Sequence, residues 1–165
     1  MTDELRKFAH ICLIVRDIRQ AMEHYRKILA AVDPQQLVEP TVFYEDFGMG
    51  EERLSFATFV SSGCEIQLMQ PLTPGTPLYR RLEKLGEHVH HICFTAPDVN
   101  ETVKRLAENG VGIVEEGISH DPQVPWQFWS FVDPAVTHGV LIEIANNYDS
   151  VNGKWEAGAG VTAGT

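Results

Sequence analysis

Cysteine is scarce in this chain: three residues, Cys12, Cys64 and Cys93, among 165. They are too few and too scattered for a disulfide framework, no CxxC pair occurs, and the odd count fits a reducing compartment. Positive charge is also short, with 13 Lys and Arg against 23 Asp and Glu and a formal net charge of -10. Without a run of basic residues the chain lacks the stripe that a phosphate backbone requires, which weighs against nucleic acid as a partner. Long apolar runs are missing too. None approaches the roughly 20 residues of a membrane span, and the opening MTDELRKFAH has no apolar middle of the signal-peptide kind. The expectation is a cytoplasmic protein with no membrane partner. What the chain does have is 44% hydrophobic residues, enough for a buried core in one domain or in two half-size lobes.

A tripeptide occurs twice. His10-Ile11-Cys12 returns as His91-Ile92-Cys93, 81 residues later. Aligned on it, HICLIVRDIRQAMEHYRKIL and HICFTAPDVNETVKRLAENG each place an Asp seven residues after the His, Asp17 and Asp98. Each Asp is a candidate N-cap, because its side chain can accept from the free amides of a helix start. After it come apolar residues at helical spacing: Ile18, Met22, Tyr25, Ile28 and Leu29 in the first copy, Val99, Val103, Leu106 and Ala107 in the second. Strand-like segments follow in both copies, TVFYEDFG, RLSFATFV and CEIQLMQ, then VGIVEEG, WQFWSFVD and VLIEIAN. The expected fold is α+β, two tandem βαβββ modules. The modules span residues 8–70 and 88–147, with a linker and short amphipathic helix at 71–87. The Gly/Ala-rich tail, 148–165, shows no periodicity and is expected to be flexible.

The repeat carries a chemical argument. Alternation along a strand puts His10 on one face with Cys12 and His91 with Cys93, while His90 points away from His91. The last strand of each copy interrupts an apolar run with one polar residue, Gln67 in EIQLMQ and Glu143 in LIEIAN. An unpartnered carboxylate in such a run is costly, so a buried partner is expected. Two halves supplying His plus amide and His plus carboxylate make a four-ligand metal site. Imidazole nitrogen with amide and carboxylate oxygen suits a first-row ion with more than four ligands better than closed tetrahedral zinc. Cys12 and Cys93 read as small core residues rather than ligands. Of the aromatic set Trp126, Phe128, Trp129 and Phe131, one alternate pair is core and the other is free to line a pocket.

At these residues the chain resembles the vicinal oxygen chelate superfamily of glyoxalases, bleomycin-resistance proteins and dioxygenases, and within it the methylmalonyl-CoA epimerases. The resemblance spans roughly residues 8 to 147. It rests on the first-strand His10, on Gln67 ahead of Pro71, on Gly-x-x-x-His-His from Gly86 to His91, and on Gly-Val-Leu-Ile-Glu from Gly139 to Glu143. It implies curved mixed sheets forming a cleft, a divalent metal (cobalt, manganese, nickel, zinc or iron) held by His10, Gln67, His91 and Glu143, and a homodimer. It also implies epimerase, isomerase or lyase chemistry by a metal-stabilised enolate, on a small acyl thioester or dicarbonyl substrate. Two other activities of the superfamily are open: an iron(II) extradiol dioxygenase using His10, His91 and Glu143, and a non-enzymatic small-molecule-binding resistance protein. The epimerases carry a second catalytic glutamate on the third strand, where RLSFATFV has no carboxylate and Ser55 stands near the position. Glu143 is therefore the first candidate for proton transfer, with Glu45, Glu51 and Glu52 the nearest other acids. The segments His120 to Trp126 and Pro134-Ala135-Val136 also depart from the epimerase pattern.

Overall fold

The computed structural model describes residues 7–61 and 63–162. The first repeat builds strand β1 (Lys7–Ile14), helix α1 (Ile18–Val32) and strands β2 (Val42–Met49), β3 (Glu52–Ser61) and β4 (Cys64–Pro71). Helix α2 (Pro77–Leu85) follows, with Pro77 in its first turn and Gly86 at its C-cap at φ 72°, a value that glycine reaches without steric cost. The second repeat gives β5 (His88–Ala96), α3 (Val99–Glu108), β6 (Ser119–His120), β7 (Phe128–Phe131) and β8 (Ile142–Asn146). Strands β9 (Tyr148–Val151) and β10 (Lys154–Ala157) close the chain as a two-stranded ribbon.

Both predicted caps form, in nearly identical geometry. Asp17 sits at φ -138°, ψ 105° and accepts from the Gln20 amide; Asp98 sits at φ -139°, ψ 110° and accepts from the Glu101 amide. Each bond is 3.0 Å long. Replacing either Asp with Ala is expected to lower stability by about 1 kcal/mol. Chemical denaturation of the two variants measures it, and a loss near zero would show that neither cap holds its helix.

The strand orders also correspond. In the first repeat the order is β2-β3-β4-β1, and in the second it is β6-β7-β8-β5. In the second, β8 runs parallel to β5 and antiparallel to β7. The last strand of each repeat thus lies beside its first, which brings the ends of the repeat pattern together.

The chain divides into two compact units whose border cuts through β1 and β5: residues 11–90 with 150–154 form one, and the rest of the described chain the other. In the former, α1 buries Ile18, Met22 and Leu29 against Ala57, Phe59 and Leu68, and Tyr25 stacks on Phe59. Each large side chain buried here contributes on the order of 2 kcal/mol. In the latter, Ala9, Cys93, Ala145 and Tyr148 form a core with Trp126, Trp129 and Trp155 packed on it.

Two sequence expectations need correction. The segment VGIVEEG does not form a strand. It makes one bridge, Ile113 to Val132, and Gly117, at φ 72°, turns the chain so that pairing with β7 falls to Ser119 and His120. The expected flexible tail contains the β9–β10 ribbon. Its turn is Asn152-Gly153, at φ 52° and 79°, the pair of left-handed residues that a tight two-residue hairpin demands. Among the described residues no helix is long and apolar enough to cross a membrane.

Candidate metal centre

His10 on β1, His91 on β5 and Glu143 on β8 converge within one unit. The two imidazole Nε2 atoms are 3.0 Å apart. Glu143 Oε2 lies 2.7 Å from that of His91 and 3.4 Å from that of His10. His10 is 4% exposed and His91 6%, and the Glu143 side chain is 13% exposed. The other nitrogen of His10, Nδ1, lies 2.7 Å from the hydroxyl of Tyr148. The ring of Phe131 stands edge-to-face on His91 at 5.6 Å.

Local chain geometry explains the convergence. β5 and β8 are parallel neighbours in the register Cys93 to Glu143, so Glu143 projects on the side to which alternation also sends His91 and Cys93. Phe131 pairs with Glu143 from the other flank. Cys93, fully buried, belongs to the core of this unit, as expected of a small apolar residue.

Burial alone pushes the Glu143 carboxyl up. The charge of His91, followed by the hydrogen bonds of His10 and His91, outweighs that and holds it well below the ordinary carboxylate range. Glu143 is thus ionised at neutral pH. Three lone-pair atoms aimed at one another from such short range repel unless protons or a cation lie between them.

A cation fits the spacing. Bonds of about 2.1 Å to a six-coordinate ion separate neighbouring ligands by about 3.0 Å, and the three observed separations bracket that figure. Nitrogen, nitrogen and carboxylate oxygen form the donor set of a first-row transition ion.

The other candidate site residues, Gln67, Ser55, Glu45, Glu51 and Glu52, lie in the unit of residues 11–90. Gln67 is buried on β4, opposite Thr58 of β3. Ser55 pairs instead with Gln70, which puts Ser55 and Gln67 on opposite faces of the β3–β4 ladder, and its hydroxyl donates to the Glu45 carbonyl. By alternation the Gln67 face of β3 carries Glu52, Leu54, Phe56 and Thr58, with Glu52 at the very start of the strand. Glu45 is exposed and paired with Arg19. Glu51 is exposed in the β2–β3 turn, and Glu52 accepts from the Leu78 amide at the start of α2. The three-residue cluster of the other unit includes none of these three glutamates.

Sequence reasoning missed Tyr148, because it falls in the segment read as a tail. The Asn152-Gly153 pair, with Tyr148 and Trp155 on either side of it, was the available signal that this segment folds back.

Comparison with known proteins gives the family and the fold. The chain is 26% identical over 141 residues to the uncharacterized protein YqjC of Bacillus subtilis (strain 168), covering 85% of this chain and 91% of the relative. It is 26% identical over 146 residues to the mitochondrial methylmalonyl-CoA epimerase of Bos taurus, covering 85% and 74%. Among solved structures, the methylmalonyl-CoA epimerase of Mycobacterium tuberculosis superposes with a TM-score of 0.65 at 22% identity, over 88% of this chain and 91% of that one. The family model for the Glyoxalase/Bleomycin resistance protein/Dioxygenase superfamily matches residues 9–127, from the residue before His10 to the aromatic segment ahead of β7. With a glyoxalase-like α+β fold and a match of that length, the chain belongs to the glyoxalase/bleomycin resistance protein/dioxygenase superfamily.

Proposed function

We propose that the protein is a metal-dependent epimerase or isomerase that removes and returns the proton between two carbonyl groups of an acyl thioester or related dicarbonyl compound. The convergence of His10, His91 and Glu143 carries this reading, and the likeness to the bovine epimerase supports it. A divalent ion held there supplies charge stabilisation to the substrate's carbonyl oxygens as the carbon between them loses its proton.

The chain's own residues do the remaining work. His10 and His91 present imidazole nitrogens from adjacent ends of the repeat, and Phe131 packs on His91 and fixes its ring. Glu143 is the ligand that brings negative charge, and in this proposal it is also the carboxylate that moves the proton. Glu143 is the one carboxylate of the three-residue cluster, so one substrate face is the served one. Proton exchange then outruns inversion. Glu45, Glu51 and Glu52 keep their surface roles, so replacing all three with Gln leaves exchange unchanged in the proposed scheme. Gln67→Ala is expected to weaken metal binding without abolishing it, measured by titration calorimetry. Unaltered affinity would remove Gln67 from the ligand set.

A second reading has one observation in its favour: two His and one carboxylate form the three-ligand face used by iron(II) oxygenases. Oxygen uptake separates the two. The iron-loaded protein is expected to consume no oxygen with catechols while exchanging the central proton of malonyl-type thioesters in heavy water. Oxygen uptake without exchange would reverse the assignment.

A further inference from the structure

We infer that Tyr148 is a positioning residue for His10: its hydroxyl oxygen accepts a hydrogen bond from Nδ1–H, which leaves the Nε2 lone pair aimed at the metal position, and the C-terminal segment holds it there. The inference rests on the metal reading above.

Neutral imidazole has one protonated nitrogen, and whichever nitrogen binds a metal must be the other one. In His10 the nitrogen facing His91 and Glu143 is Nε2. With a metal on Nε2 the proton must reside on Nδ1, and the atom 2.7 Å away to receive it is the Tyr148 hydroxyl oxygen. The bond joins two buried residues, 4% and 6% exposed, so water does not compete for it freely. Such a partner for the far nitrogen of a metal-bound His fixes both its tautomer and its ring plane.

Tyr148 is in turn fixed by the backbone on either side of it. The Asn147 amide donates to the Ala96 carbonyl at 2.8 Å, and the Gly158 amide donates to the Asn147 carbonyl at 2.8 Å. The Asn147 side-chain amide donates to the Ala159 carbonyl at 2.9 Å. The Tyr148 ring stands edge-to-face on Trp155 at 6.5 Å. Gly158 passes so close that a Cβ there would lie 2.9 Å from both Asn147 C and Tyr148 N. Both of those atoms are backbone, so any side chain at 158 must displace the strand that carries the hydroxyl.

The test is zinc titration by calorimetry together with the His10 ring-proton spectrum of the zinc-loaded protein. Wild type is expected to show a His10 Nδ1–H resonance protected from exchange with water. Tyr148→Phe keeps the ring on Trp155 and removes only the oxygen. It is expected to lose that protection and to bind zinc about 10–100-fold more weakly, with its melting temperature in the absence of metal unchanged. Gly158→Ala, which leaves the hydroxyl but shifts it, is expected to give a smaller loss of the same sign. Equal affinity and an equally protected proton in Tyr148→Phe would overturn the role of Tyr148 while leaving the metal centre intact. Unchanged affinity in Gly158→Ala would overturn the role of the C-terminal segment. A wild-type protein that binds no zinc would sink the metal reading itself.

Discussion

His91→Ala protein is expected to carry no stoichiometric metal after purification, where wild type carries about one divalent ion per chain. The imidazole of His91 is the closest partner of Glu143, at 2.7 Å, and its Nε2 faces that of His10 at 3.0 Å. Without it the remaining pair offers one nitrogen and one carboxylate, and nothing in the cluster replaces the lost donor. The same deletion uncouples metal from stability. A ligand at 1,000 times its dissociation constant stabilises a folded protein by about 4 kcal/mol, worth about 8–16 °C in a chain of this size. Adding metal to chelator-treated wild type should raise the melting temperature by that order, and adding it to His91→Ala should not move it. Metal retained in the variant, or a wild-type melting curve blind to metal, would refute the three-residue set.

The second large effect is catalytic. Metal-loaded protein in heavy water is expected to place deuterium on the carbon between the carbonyl groups of a methylmalonyl-type thioester, on the order of 10³-fold faster than the metal-free protein. That factor is the scale of losing one strong stabiliser of a developing oxyanion. Glu143→Gln should fall to the metal-free rate, because the substitution removes a ligand charge and the proton-moving carboxylate together. Deuterium incorporation is expected to outpace inversion, since Glu143 is the one carboxylate of the cluster. Inversion keeping pace with exchange would show that a second acid serves the other face, and Gln variants of Glu45, Glu51 and Glu52 would then identify it. No exchange from a fully loaded protein would leave the fold and the metal without this chemistry.

What could be read from the sequence was whatever repeats or follows a local rule. The His-Ile-Cys tripeptide and the paired Asp17 and Asp98 located both helices, because a cap is made by one side chain and an amide three residues on. The convergence of His10, His91 and Glu143 was legible because strand alternation and a repeated polar interruption mark positions that face inward. The strand expected at VGIVEEG failed because its β-branched residues are flanked by Gly112 and Gly117, and backbone freedom outweighs a short apolar run. The face that Ser55 takes was not legible for a different reason. Sequence spacing cannot give the register of β3 on β4, and a one-residue difference moves a side chain to the other face. Tyr148 escaped because its value to His10 comes from a partner 138 residues away, and a four-residue strand carries almost no periodic signal. Even so, the Asn152-Gly153 turn was a local rule, and it was overlooked in favour of the Gly/Ala content around it.

The central claim is that His10, His91 and Glu143 together hold one metal ion, and anomalous diffraction from crystals grown with cobalt(II) tests it most directly. A single strong peak is expected within bonding distance of His10 Nε2, His91 Nε2 and a Glu143 carboxylate oxygen, with the Tyr148 hydroxyl still on His10 Nδ1. A map with no peak among those three side chains, at a cobalt concentration that saturates binding in solution, would contradict it.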